Sequence, residues 1–159
     1  MGIVFGSNPR ATLIRIVLIL VGAFILFGLV LQPLRLQGVS MLPTYSEGGL
    51  TFANRTAYAL HPPRRFDVVA IRMAGPSVLY VKRIVGLPGE RVAIVDGTVT
   101  INGTPLAEPD VVNRSAWNME VMVLESDEYF VVGDNRSMNI EQHDFGRATR
   151  NRIVGKLLY

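Results

Sequence analysis

Leu13 to Leu31 reads LIRIVLILVGAFILFGLVL, a run of nineteen residues whose one charge is Arg15. At about 1.5 Å of rise per residue a helix of that length spans roughly 28 Å, the depth of a bilayer's hydrocarbon core. A core helix of a soluble domain would carry a polar face, and none is present after Arg15. A cleavable leader would end in small residues spaced two apart, whereas this run leaves through LVLQPLRLQG with large residues there. The sequence therefore predicts an uncleaved single crossing. Arg15 can snorkel to the headgroups, and Pro33 is expected to stop the helix beyond the far end. Arg10, Arg15 and the amino terminus precede the span, with Arg35 close behind it, which favours an N-terminus inside. The expected organisation is an anchor over residues 1–33 and one domain over residues 34–159 on the non-cytoplasmic face, as in a bacterial plasma membrane.

The remaining domain is long enough, and with 49% of the chain apolar rich enough, to bury a core. It contains no cysteine, which excludes disulfides, thiol catalysis and cysteine-based zinc sites. His61 and His143 lie far apart and lack the i,i+4 spacing of a metal-binding helix, so neither a metal nor a cofactor is expected. A formal charge of +3 is no nucleic-acid footprint and suits contact with membrane lipid.

Past Pro33 the pattern is one of short β-branched runs punctuated by Gly and Pro: FDVVAIR, VLYVKRIVG, RVAIVDGTVTING and YFVVGDN. The Asp-Gly pair of VDGT predicts a hairpin, and a second turn is expected at Asn102–Thr104. AYALHPPRRF reads as irregular, Pro105 to Asp127 as a flap or excursion, and no long amphipathic helix is visible after the anchor. The expected fold class is mostly β, an antiparallel sheet domain following a single transmembrane helix.

Only two lysines stand among fourteen arginines, and one of them, Lys82, lies inside the β-prone run LYVKRIVG. Alternation puts Tyr80, Lys82 and Ile84 on one face and Val81, Arg83 and Val85 on the other, so one basic residue must face apolar neighbours. A lysine snorkelling from an edge strand is the ordinary explanation. A buried ammonium is costly, however, and the neutral amine that results is a base able to activate a serine without histidine or carboxylate. A candidate serine, Ser40, follows the apolar span by about nine residues in LRLQGVSMLPTY, between Gly38 and Pro43. Gly38 would let a backbone approach closely, and Pro43 would stiffen the turn.

The boxes GVSMLPT, YVKRIVGLPGE, DGTVTINGTPL and YFVVGDNR with its following HDFG and IVGK resemble, in order and spacing, those of the type I signal peptidases. The resemblance covers nearly the whole chain. It implies that Ser40 is the nucleophile, Lys82 its general base, and the Ser40 N–H an oxyanion donor. Gly38 stands where some members place a second donor. Leu36, Met41, Tyr80 and Val81 fall where the family lines its pockets for small residues at the −1 and −3 positions of exported preproteins. Asp134, Asn135 and Arg136 lie structurally near that site. The last box departs from the usual pattern: a gapless count puts Asn139 at a supporting serine, Glu141 at an aspartate, Gln142 at a second serine and His143 at an arginine. Asn139 can orient Lys82 through its amide, and Glu141 with His143 would replace the family's Asp–Arg pair.

The implied function is membrane-bound serine endopeptidase, removing signal peptides. The alternatives are a dedicated maturation peptidase for one pilin or secretion substrate, an organellar inner-membrane peptidase, and an impaired membrane-tethered domain that binds peptides uncut. A Ser40–His143 triad oriented by Asp134 or Asp144 is a rival chemistry.

Overall fold

The computed structural model describes residues 8–74, 78–111, 114–143 and 145–158. Its first helix, α1 (Pro9–Ile25), begins ahead of the apolar run because Asn8 caps it: the Asn8 side chain accepts from the Arg10 and Ala11 N–H groups, and Pro9 takes the first helical position. A π turn over Leu26–Val30 continues it, giving an apolar span of 22 residues from Pro9 to Val30 with mean hydropathy 2.9 and none of it buried. Pro33 does not end this helix. The backbone turns extended at Leu31, and Pro33 lies inside the edge strand β1 (Leu31–Arg35), where a missing N–H is tolerated on the outer side.

The strands that follow are β2 (Leu50–Asn54), β3 (Val68–Ala74), β4 (Val78–Gly86), β5 (Arg91–Val95), β6 (Thr98–Ile101), β7 (Thr104–Pro105), β8 (Met119–Val123), β9 (Glu128–Val132), β10 (Gly146–Thr149) and β11 (Ile153–Leu157). Among the described residues they form two antiparallel sheets, one of order β1-β2-β11-β3-β4-β9-β10 and one of order β7-β6-β5-β8. The fold is mostly β, as the patterning predicts. The Asp96-Gly97 hairpin forms with both φ angles positive, 46° and 73°, and Asn102-Gly103 repeats the device at 53° and 84°. β3 begins two residues later than FDVVAIR suggests, because Phe66 takes φ 71° and breaks the extended backbone. Pro105 to Asp127 is more than a flap: its C-terminal part supplies β8, which pairs with β5.

Three apolar clusters hold the sheets together. Val69, Ile71, Ile84, Tyr129 and Val131 fill one face of the large sheet. Val85, Val92, Ile94, Trp117, Phe130 and Val132 join the two sheets. On the remaining face Leu36, Met41, Tyr45, Val68 and Ala70 pack with Leu79 and Val81, which brings the segment after β1 against β4. In a flat sheet four strand spacings of about 4.8 Å would separate β1 from β4 by roughly 19 Å. Both strands nevertheless line one cleft, described below, so the sheet coils back on itself with that cleft on its concave side.

Asp67, at the entry to β3, shows how polar groups are satisfied in this core. Burial pushes its carboxyl upward, but Lys156 Nζ at 2.6 Å, the Arg64 N–H at 2.9 Å and the Tyr58 hydroxyl at 3.0 Å outweigh burial, and the net shift is downward. Tyr58 is correspondingly raised well above the usual phenol value, by burial first and the Asp67 charge second. A depressed carboxyl stabilises the folded state fully above its ordinary value of 3.8 and loses that contribution as pH falls through its lower folded value. Thermal melts below about pH 4 should therefore show a downward bend that Asp67→Asn flattens; a variant curve parallel to wild type would contradict the assignment.

Candidate active site

β4 pairs with β3 and, only from Arg83 onward, with β9, so one edge of the strand is open at Lys82 among the described residues. Lys82 is 4% exposed and does not snorkel to solvent. Its cross-strand neighbour is Val69, and Ile84 is the next residue on its own face; both belong to the first apolar cluster. Arg83 on the opposite face is buried as well, so alternation does not choose between them: both faces of β4 are covered. Arg83 is there because a carboxylate meets it. Its Nε donates to Asp134 Oδ1 at 2.8 Å and its Nη2 to Asp134 Oδ2 at 2.7 Å, a bidentate pair, while Nη1 reaches the Phe66 carbonyl and Asp110.

β9 pairs with β4 only from Arg83 onward. Among the described residues no strand pairs with that edge of β4 from Val78 to Lys82. Beyond Val132 the chain turns away through Gly133–Arg136 and grips the loop that carries Ser40. The Asn135 N–H donates to the Ser40 carbonyl at 3.0 Å, and Asn135 Nδ2 donates to the Val39 carbonyl at 3.0 Å. Thr44 Oγ1 donates to Asp134 Oδ2 at 2.5 Å. The carboxylate that neutralises Arg83 thus also ties down the Ser40 loop. Lys82 stands at the fork where β9 leaves β4, and Ser40 hangs from the departing arm.

Gly133 is the closest point of this arrangement. A Cβ there would collide with the Ser40 carbonyl oxygen and would stand 2.7 and 2.8 Å from ring atoms of His143. Gly133→Ala should therefore displace the Ser40 loop, costing about 1–3 kcal/mol of stability and most of the catalytic activity. Melts and turnover together check it, and wild-type turnover in the variant would refute the role. Gly38 is different. Nothing would crowd a Cβ there; glycine is needed for its φ of +87°, which corrects the expected close backbone approach. Its N–H donates to Glu47 Oε1 at 3.3 Å.

A cleft of about 640 Å³ opens on the concave side of the coil, between β1 and β4. Ser40 and Gly38 line it together with the four apolar residues predicted for substrate contact, Leu36, Met41, Tyr80 and Val81. Tyr45 and Leu79 line it too and were not legible in the sequence as pocket residues.

The final box is arranged differently from the expectation. Glu141 is exposed on a 3-10 turn (Ile140–Gln142), whereas His143 is 4% exposed with its ring edge-on to Trp117 at 4.9 Å. The ion pair that braces the loop is instead Arg136 with Glu108, at 2.5 Å, with both side chains 1% exposed. Arg136 also donates to the Gly133 carbonyl and lies over the Trp117 ring, and Trp117 Nε1 donates to the Met138 carbonyl at 2.9 Å. Glu108 and Trp117 come from the segment with the weakest sequence signals, and no local motif marks them. Asn139 is exposed at the head of the 3-10 turn. For the rival triad, Asp134 is committed to Arg83 and Thr44, and Asp144 lies outside the described residues.

Comparison with known proteins matches residues 10–159 to the model of the signal peptidase, peptidase S26, family. The chain belongs to that family. A signal peptidase I T of Bacillus subtilis (strain 168) is 32% identical over 157 residues, covering 92% of this chain and 79% of its own. Signal peptidase I of Leptolyngbya laminosa is 33% identical over 125 residues, covering 74% of this chain, and the match spans 62% of that relative's length. Among solved structures, a signal peptidase I from Enterococcus faecalis V583 is similar at a TM-score of 0.50 and 28% identity, over 60% of this chain and 97% of that one. S26 signal peptidases are membrane-anchored serine endopeptidases, and among the described residues of this member one apolar helix of membrane-spanning length leads directly into the strand that lines its cleft.

Proposed function

We propose that this chain removes signal peptides from exported preproteins, with Ser40 as nucleophile and Lys82 as general base. The observation that carries the reading is Lys82 itself: a lysine 4% exposed on β4, cross-strand from Val69, at the fork where β9 departs into the segment that clamps the Ser40 loop. A lysine in its neutral amine form is able to accept the proton of a serine hydroxyl.

In the first step Ser40 Oγ bonds to the scissile carbonyl carbon as its proton passes to Lys82 Nζ. The tetrahedral oxyanion is held by the Ser40 N–H, and its collapse expels the new amine, which takes the proton from Lys82. Water then attacks the acyl-enzyme carbonyl, giving its proton to Lys82 Nζ, and collapse of the second tetrahedral intermediate breaks the ester bond and expels Ser40 Oγ, which takes that proton back. The preprotein lies extended along the unpaired edge of β4 and facing β1, adding a strand, with small side chains at −1 and −3 against Leu36, Met41, Tyr80 and Val81. Residues 1–33 serve as anchor and residues 34–159 as catalytic domain. The anchor holds enzyme and membrane-tethered substrate in one plane, and the arginines flanking it favour the domain outside a bacterial plasma membrane.

The two relatives described above carry the name signal peptidase I, so a pilin-dedicated or impaired form is not favoured. The test is a model preprotein incubated with the detergent-solubilised protein and with Ser40→Ala. Cleavage after the −1 residue by wild type alone is expected. Retention of the preprotein uncut by both forms would replace the enzyme with a peptide-binding domain.

A further inference from the structure

The anchor is joined to the sheet by more than its covalent bond. The chain turns extended at Leu31, so the Gly28 carbonyl is among those a helix end leaves without an internal donor. The residue that a π turn would pair with it, five positions on, is Pro33, which has no N–H. The donor comes from the far side of the β1–β2 hairpin: Arg55 Nη1 donates to Gly28 O at 3.0 Å. The Arg55 N–H donates to Val30 O at 2.8 Å, adding a contact just beyond the first β1–β2 rung, Leu31↔Asn54. The Phe27 and Phe52 rings meet at 6.1 Å on the same joint. Helix end, edge strand and hairpin are thereby fixed to one another, and β1 is itself a wall of the cleft.

We propose that Arg55 is a positioning residue that sets the height and pitch of the cleft above the bilayer. It thereby selects preproteins by the distance between their membrane-embedded segment and the bond to be cut. A flexible tether would sample many heights and accept many spacings; a fixed joint favours one. Arg55 and this contact lie exposed on the surface of the fold, beside the end of the apolar span.

This rests on the reading of the chain as a signal-peptide-removing enzyme, and the experiment separates the two. The full chain is reconstituted in vesicles of phosphatidylethanolamine and phosphatidylglycerol with preproteins whose spacing between apolar segment and scissile bond increases one residue at a time. A water-soluble peptide carrying the same cleavage site is assayed in detergent. Wild type should cut the peptide and favour one spacing. Arg55→Ala should cut the peptide at the wild-type rate and lose the spacing preference, and Arg55→Lys, still a donor to one carbonyl, should regain part of it. A wild-type spacing profile in Arg55→Ala overturns the inference, as does an equal loss on the soluble peptide, which would mark a general structural role. Failure of wild type on the peptide itself would overturn the functional reading, and this inference with it.

Discussion

Lys82→Met should abolish preprotein cleavage by a protein that still folds. Lys82 is 4% exposed on β4, cross-strand from Val69 and two residues from Ile84, and methionine is an unbranched side chain of similar length that keeps the volume of the site. The substitution removes the base of the proposed mechanism, without which a serine hydroxyl is a poor nucleophile; the loss expected is on the order of 10⁴-fold. A folded Lys82→Met protein that cleaves at the wild-type rate would refute the role. His143→Ala is the companion measurement. Its ring packs against Trp117 and the backbone at Gly133, so stability should fall, yet cleavage should remain measurable. Full activity in Lys82→Met with none in a folded His143→Ala would transfer the role of base to the histidine.

Asp134→Ala carries the largest expected cost to the fold. Asp134 is fully buried, and it holds both Arg83, whose side chain is 3% exposed, and Thr44 of the nucleophile loop. Removing it takes from the Arg83 guanidinium its bidentate carboxylate, while the half-exposed Asp110 carboxylate still reaches Nη1. Stripping one member from a buried pair costs about 3–5 kcal/mol, a large share of a domain's total stability. A fall in Tm on the order of 10 °C is expected. Cleavage should fall at temperatures where the variant is still folded, because Thr44 loses its acceptor. The double variant Arg83→Met with Asp134→Leu should recover much of the Tm and little of the activity, since it removes the charge that has lost its bidentate carboxylate and does not restore the tether to Thr44. A drop in Tm of only one or two degrees in Asp134→Ala would show that the pair does not hold the loop.

The anchor, the strands and both hairpin turns were legible in the sequence because each is dictated by local chemistry. An apolar run of bilayer length has few other places to go, and Asp96-Gly97 and Asn102-Gly103 supply the positive φ angles that short hairpins need. Ser40, Lys82 and the candidate pocket residues were proposed from the spacing of whole boxes; alternation along β4 left the lysine undecided, since each face holds one basic residue. What resolved it was the coverage of both faces, a property of the coiled sheet. Glu108 shows the limit from the other side. Nothing around it marks a partner for Arg136, 28 positions away, yet that pair and Trp117 brace the loop that grips Ser40.

The sequence by itself determined a single apolar span followed by an antiparallel β domain, and the residue types available for chemistry, a lysine and a serine without cysteine. Only the tertiary structure decided that Lys82 is buried, that Asp134 serves Arg83 and Thr44 together, and that the anchor meets the cleft through Arg55. Turns and spans depend on neighbours within a few residues and are written in the chain. Burial of a charge, and the partner that makes it tolerable, depend on which strands pair at long range, and that pairing exists only once the sheet has closed around its core.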